Sequence, residues 1–268
     1  QIESDLRKAI ADGKIKPFYQ PLVDLRDGRI LGFEALARWH MADGTMRMPD
    51  DFIAIAEESG LISDLFFAVL KAAALEAKNW PDELHLAVNL SPVQFGDDWL
   101  VERILQTLLD AGVAPGRLEI EITESALVSD LDAARNLILS LKNQGISISL
   151  DDFGTGYSSL RHLSELPFDK LKIDRSFVRG IETNSASQSI VRAVTALAHN
   201  LGLEVTAEGV ETYDNARSVI DSGCDIGQGF LYGRPNDSGQ LALADRRSDT
   251  TGSVSDEPAQ NTRNDQAA

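Results

Sequence analysis

Five oxygen-donating side chains fall on or at the ends of strand-like segments of this chain. They are Glu34, Asn89, Glu121, Asp151 and Asp152. Carboxylate and amide oxygens suit Mg²⁺ or Mn²⁺ better than zinc or copper. Two such ions about 3.5–4 Å apart could polarise a phosphoryl oxygen and supply a hydroxide nucleophile. The donor set therefore predicts a divalent-metal site for phosphoryl chemistry, in which the adjacent aspartates touch two ions or one of the pair stays outside direct coordination.

Nitrogen and sulfur donors do not extend this set. His40, His85, His162 and His199 fall away from the predicted strand ends, so we expect surface or packing roles for them. Cys224 is the only cysteine, which excludes an intramolecular disulfide and a Cys-ligated zinc site. We expect Cys224 to be a small buried residue.

A repeating strand–helix pattern supplies the frame for these side chains. Two strand-like runs, 15–25 and 29–39, flank a turn signal at Asp27-Gly28, so they should be antiparallel neighbours. Further strands are predicted at 84–90, 118–123, 146–151, 170–174, 203–208 and 225–230. Helices are predicted at 4–12, 49–59, 63–79, 130–144, 187–201 and 212–221, with another that ends at Ala111. This α/β pattern predicts a modified (β/α)8 TIM barrel with an antiparallel first strand; an open doubly wound sheet is the alternative.

Polar side chains share one face of five of these strands. The polar sets are Glu119 and Glu121; Ser147, Ser149 and Asp151; Lys170, Lys172 and Asp174; Glu204, Thr206 and Glu208; and Asn89 at the end of its strand. In a barrel the apolar face packs on the helices, so the polar face should point into the lumen. Charges buried there must be paired or bind a metal. A solvated face of an open sheet is the alternative for any single strand.

Composition sets the outer limits on function. The chain carries 42 Asp and Glu against 25 Lys and Arg, a net charge of −17, which argues against non-specific binding of nucleic-acid polymers. A phosphate-bearing substrate is not excluded, because bound cations can reverse the local charge. We see no signal peptide or membrane segment and expect a cytoplasmic setting. We expect a barrel domain over 1–244 and a disordered tail or linker over 245–268, and the first residue, Gln1, suggests part of a longer protein.

Seven short motifs carry a resemblance to a known family. They are FEALARW (33–39), NLS (89–91), EITES (121–125), DDFGTGYSSL (151–160), KIDRSFV (172–178), AEGVET (207–212) and QGFLYGRP (228–235). Together they resemble the EAL-domain phosphodiesterases, which hydrolyse the bacterial second messenger cyclic di-GMP to linear pGpG. The match runs in order from about Tyr19 to Pro235 and covers nearly all of the predicted barrel.

The resemblance implies roles for the acidic cluster. The implied ligands of two Mg²⁺ or Mn²⁺ ions are Glu34, Asn89, Glu121, Asp151 and Asp152. Lys172 would activate or hold the attacking water, and Glu208 would bind metal or assist proton transfer.

The resemblance also implies substrate contacts and a partner. The implied contacts are Gln20, Arg38 (to a substrate phosphate), Asp174 and Gln228. Glu124 would tie down the loop 152–157, which in this family helps couple metal binding to dimerisation. We therefore expect cyclic di-GMP as substrate, a homodimer, and fusion to or regulation by other signalling domains.

Two other functions stay open from the sequence. One is a catalytically silent cyclic di-GMP receptor, although degenerate family members typically lose an acid or the lysine and this chain keeps them all. The other is a different barrel hydrolase, such as a glycosidase that uses two lumen carboxylates. Lys172 amid the acids and the all-oxygen donor set fit a glycosidase poorly.

Overall fold

A closed eight-stranded barrel lies at the centre of the computed structural model, which describes residues 2–154 and 160–238. The barrel strands are β1 (Ile15–Asp24), β2 (Ile30–His40), β4 (His85–Asn89), β5 (Leu118–Thr123), β6 (Ser147–Phe153), β7 (Lys170–Ile173), β8 (Glu204–Ala207) and β9 (Ile226–Gly227). A two-residue strand, β3 (Met46–Arg47), pairs only with the end of β2. Because the sheet closes on itself, the predicted barrel is confirmed, and the alternative prediction of an open doubly wound sheet is wrong. The predicted tail, 245–268, lies outside the described residues.

The first strand runs against both of its neighbours. β1 is antiparallel to β2 and to β9, whereas the strands from β2 through β4 to β9 pair in parallel. The tight turn that starts this arrangement contains Gly28, whose φ of 75° is costly for any residue with a side chain. In the β1–β2 register Gln20 faces Glu34 and Ile15 faces Trp39. The antiparallel first strand predicted from Asp27-Gly28 is confirmed.

Helices surround the barrel. The structure describes α1 (Ile2–Ala11), α2 (Ile53–Glu58), α3 (Ile62–Ala77), α4 (Leu100–Ala111), α5 (Glu124–Ser129), α6 (Leu131–Asn143), α7 (Leu160–Glu165), α8 (Arg175–Val178), α9 (Ser185–Asn200) and α10 (Tyr213–Asp221). The helix predicted over 49–59 is wrong as a single element: Pro49–Asp51 forms a 3-10 turn, and Phe52, with φ −141°, separates it from α2. The short helices α5, α7 and α8 were not predicted. None of the helices described over these residues is long and apolar enough to cross a membrane.

Side-chain alternation on the strands separates the apolar core from the polar lumen. Ile120, Ile148, Leu171 and Val205 are fully buried on the outer face of the barrel, beneath the helices. Full burial of such a side chain contributes roughly 1.5–3 kcal/mol. The alternating residues, such as Glu121, carry the polar groups on the inner face. The packing of the helices therefore fixes the direction in which the polar side chains point.

Candidate metal and substrate site

Lys172 occupies the centre of the polar lumen. It lies on β7, is only 2% exposed, and has four carboxylates around its ammonium group. The Nζ atom is 2.8 Å from Glu121 Oε2 and 2.8 Å from Glu208 Oε1, 3.4 Å from Asp151 Oδ1 and 3.5 Å from Glu34 Oε2. A buried ammonium requires such pairing, because desolvation strongly opposes an isolated charge. The alternation on β2, β5, β6 and β7, with Glu208 directly after β8, thus brings these groups to one point.

Glu34 connects the lysine to the amides of the site. Its Oε1 accepts a hydrogen bond from Asn89 Nδ2 at 2.6 Å, and its Oε2 accepts one from Gln228 Nε2 at 2.5 Å. Gln228 Nε2 also lies 3.3 Å from the side-chain oxygen of Gln20. Four predicted site residues on β1, β2, β4 and the segment after β9 therefore form one hydrogen-bonded group.

Burial and mutual repulsion perturb the ionisation of the acids. Burial, followed by the charge of Glu34, raises the pKa of Glu121 well above its usual range. Burial and the adjacent Asp151 raise the pKa of Asp152, and burial raises the pKa of Glu208 to about 7 despite Lys172. Burial also opposes ionisation of Glu34, but the charge of Lys172 and its two amide donors hold its pKa below the ordinary value. The lumen thus holds more acid than its single central cation can balance.

Three acids of this cluster lie close enough together to hold a hard cation. Asp151, Asp152 and Glu208 each offer a carboxylate oxygen, and these atoms lie within 4.8 Å of one another. The Oε1 atom of Glu121 is buried without a hydrogen-bond partner. Asp152 adopts a φ of 55°, a conformation that is strained for a residue with a side chain. An all-oxygen cluster with excess negative charge fits a divalent cation such as Mg²⁺ or Mn²⁺.

The remaining predicted residues lie around this cluster rather than in it. Glu124 Oε2 accepts a hydrogen bond from the backbone N–H of Gly154 at 3.1 Å, at the start of the predicted loop; residues 155–159 lie outside the described residues. Asp174 caps α8 by accepting from Ser176 N at 3.0 Å. Arg38 is buried, and its Nη1 donates to the carbonyl of Ala37 at 2.9 Å.

A second charged layer lies deeper in the barrel. Lys170 Nζ is 2.6 Å from Glu119 Oε2, and the charge and hydrogen bond of Glu119 outweigh burial, so the pKa of Lys170 is raised. The lumen pairing predicted for Glu119 is thus observed. Glu204, assigned to the lumen with it, is exposed at the start of β8, although its charge also contributes to raising the pKa of Lys170. The layer below the site therefore contains a second buried ion pair.

A cavity of about 500 Å³ opens above these groups. It is lined by Gln20, Glu34, Asp152, Asp174, Glu208 and Gln228 from the predicted set, together with Leu36, Pro49, Asp50, Arg175, Gly209, Glu211, Gly229 and Phe230. A neighbouring cavity of about 550 Å³, lined in part by Asn89, shares Leu36, Pro49, Asp50 and Asp152 with it. Sequence reasoning missed Asp50, Arg175, Glu211 and Phe230. The only signal for the last three was their place inside the quoted motifs.

Comparison with known proteins agrees with this geometry. The family model for the EAL domain matches residues 3–235. The cyclic di-GMP phosphodiesterase NbdA of Pseudomonas aeruginosa is 39% identical over 88% of this chain, which corresponds to 30% of NbdA. The chain spans about a third of the length of the curated relatives that it matches.

Solved structures share the fold. The PaMucR phosphodiesterase in complex with c-di-GMP has a TM-score of 0.84 and 39% identity, covering 89% of this chain and 98% of that one. The calcium/cy-diGMP complex of Klebsiella pneumoniae BlrP1 has a TM-score of 0.75 and 32% identity, covering 83% of this chain and 56% of that one. With the barrel, the ordered motifs and the family match over residues 3–235 in agreement, this chain belongs to the EAL domain family.

Proposed function

We propose that this protein is a metal-dependent phosphodiesterase that hydrolyses cyclic di-GMP to linear pGpG. The observation that carries the proposal is the cluster of four carboxylates around the buried Lys172. The cavity above this cluster has an acidic wall, which would repel a phosphate group unless cations were bound there. NbdA, whose name states this activity, and PaMucR, solved with c-di-GMP, support the choice of substrate.

The residues present fit two Mg²⁺ or Mn²⁺ ions. We assign Glu34, Asn89, Glu121, Asp151 and Asp152 as ligands, because they supply oxygen donors on the neighbouring strands β2, β4, β5 and β6. Divalent ions held by these residues would neutralise charge on a phosphoryl oxygen and would lower the pKa of a coordinated water. The BlrP1 complex, which contains calcium and cy-diGMP, supports a divalent cation in such a site.

The chain's own residues then act on the water and the substrate. Lys172 can hold the attacking water by donating a hydrogen bond to it, and Glu208, with a pKa of about 7, can exchange a proton near neutral pH. In the reaction the water oxygen bonds to phosphorus, the bond from phosphorus to a ribose oxygen breaks, and that oxygen takes up a proton. Gln20, Arg38, Asp174 and Gln228 are assigned to substrate binding.

Chelation provides the first test of this function. We expect the purified protein to convert cyclic di-GMP to pGpG with Mg²⁺ or Mn²⁺, and to stop when excess EDTA is added, because the acids then lose their counter-charge. Chromatography of the products measures this, and re-addition of metal should restore the rate. Full activity in excess EDTA would contradict the metal mechanism.

The same assay separates the alternatives. A silent receptor would bind cyclic di-GMP without forming pGpG, and a glycosidase would act on sugars without metal. Neither is favoured, because the acids and Lys172 are all present and converge on one point. We further propose that the protein is a cytoplasmic homodimer. We also propose that it works with other signalling domains, since the matched relatives are about three times longer than this chain.

A further inference from the structure

The charge of the catalytic cavity is one-sided. Six carboxylates line it, those of Glu34, Asp50, Asp152, Asp174, Glu208 and Glu211. Arg175 is the single cationic side chain among the described residues that line it. Lys172 lies behind this wall, where its partners already enclose it.

This excess of negative charge would repel the proposed substrate, which is itself an anion. The inference therefore rests on the proposed function. Cyclic di-GMP carries two phosphodiester anions on opposite sides of its ring. Ions bound by the central acids can offset the charge of the phosphate that reacts. The other phosphate must still lie against a wall that carries Asp50, Asp174 and Glu211, and like charges at short range repel. We assign Arg38, which is not among the residues that line this cavity, to the phosphate that reacts, so the second phosphate needs a cation of its own.

Arg175 lies in the cavity wall and can supply this cation. It is exposed at the start of α8, and its guanidinium forms no hydrogen bond or ion pair within the described part of the chain. Its stem is fixed by Gly209, which has a φ of 69°. A Cβ atom on Gly209 would lie 2.5 Å from Arg175 Cβ and 3.3 Å from Arg175 Cα. Gly209 thus lets the arginine stem pack directly against its backbone, and the guanidinium has no partner among the described residues.

We propose that Arg175 binds the phosphate of cyclic di-GMP that is not hydrolysed. A guanidinium stays charged at any physiological pH and offers paired N–H donors that match two phosphate oxygens. Such a contact would be equally strong in the bound ground state and in the transition state, so it would contribute to substrate binding more than to the chemical step.

Two substrates distinguish this role from a structural one. Cyclic di-GMP has a second phosphate, whereas bis(p-nitrophenyl) phosphate is a single phosphodiester. We expect Arg175→Ala to raise KM for cyclic di-GMP about tenfold, the scale of one charge-assisted hydrogen bond, with kcat little changed. The same variant should hydrolyse bis(p-nitrophenyl) phosphate within about twofold of the wild type, because no second phosphate is present. Arg175→Lys should recover part of the loss.

Arg179→Ala is the matched control, because Arg179 is exposed four residues further on and is absent from the cavity lining given above. It should leave both substrates unaffected. An unchanged KM for cyclic di-GMP in Arg175→Ala, or an equal loss on both substrates, overturns the inference. A wild type that hydrolyses neither substrate would instead overturn the proposed function. In that case, calorimetric titration with cyclic di-GMP in Ca²⁺ would still test whether Arg175 contacts the ligand. A tenfold weaker affinity in Arg175→Ala would support the contact, and an affinity equal to that of the wild type would contradict it.

Discussion

Glu34→Ala should abolish hydrolysis of cyclic di-GMP, with a loss on the order of 10³-fold or more, beyond that of a single electrostatic contact. Glu34 is a proposed metal ligand, and it is also the acceptor that holds Asn89 at 2.6 Å and Gln228 at 2.5 Å. Its removal therefore leaves an ion under-coordinated and releases two amides at once. Initial rates over a range of Mg²⁺ concentrations measure the effect, with circular dichroism to verify the fold.

Glu119→Gln serves as the control for this result. Glu119 is also a buried glutamate on the lumen face, but it pairs with Lys170 one layer below the site. Its neutralisation should lower stability more than activity, since none of the proposed ligands is lost. If Glu34→Ala kept near wild-type rates at ordinary Mg²⁺ concentrations while Glu119→Gln lost activity, the ligand assignment would be wrong.

Lys172→Ala should lower kcat about 10²-fold or more while cyclic di-GMP still binds, and Glu208→Gln should do the same. Both groups are placed to act on the attacking water, so their contacts should strengthen in the transition state. Lys172→Ala should also destabilise the metal-free protein, because four carboxylates lose a common partner within 3.5 Å. Removal of one partner of a buried ion pair typically costs about 3–5 kcal/mol.

Arg38→Ala provides the contrast to these two variants. Its proposed contact is with a phosphate that is present throughout the reaction, so its loss should weaken binding by about 1.5–3 kcal/mol and change kcat less. Steady-state kinetics, combined with calorimetric titration in Ca²⁺, separates the two patterns. If Lys172→Ala changed only KM and Arg38→Ala changed only kcat, the two assigned roles would have to be exchanged.

The barrel and the centre of its site were predictable because apolar and polar side chains alternate along each strand, and this alternation decides which face of the strand points into the lumen. Glu121 and Lys172 lie on regular strands, so a period of two residues correctly assigned their side chains to the lumen. Asp151 was assigned correctly as well, because it keeps its pairing with Thr123 of β5 although the pairing of β6 with β7 shifts after Leu150. The bounds of β5 agree with the prediction for the same reason. Cys224 is buried as expected from its type.

The segment after β9 shows where alternation stops being informative. A strand was predicted over 225–230, but β9 ends at Gly227. Val210 N donates to Gln228 O at 3.0 Å, and a Cβ atom on Gly229 would lie 2.2 Å from Val210 O. This close approach between two loops depends on tertiary packing, which no local pattern contains.

Arg175 was missed for a related reason. A strand was predicted to continue to Asp174, but Asp174 caps a four-residue helix. The direction of a side chain that follows such a cap depends on the direction of the helix and no longer on the alternation along the strand. Its position in the cavity wall depends on tertiary packing, including the contact with Gly209, which no local pattern contains.

The reversed direction of β1 also decides how this barrel can be joined to other parts of a protein. Lys14 O accepts from His40 N at 2.9 Å, so the chain enters β1 beside the end of β2 that lies past Glu34. On leaving the barrel, Asn236 pairs with Tyr19, one residue from Gln20. An all-parallel barrel would admit its first strand at the face opposite the reaction. Here the segment from α1 into β1 and the segment that leaves β9 both meet the barrel level with or past Glu34 on β2, so both connect to the barrel on the side of the proposed site.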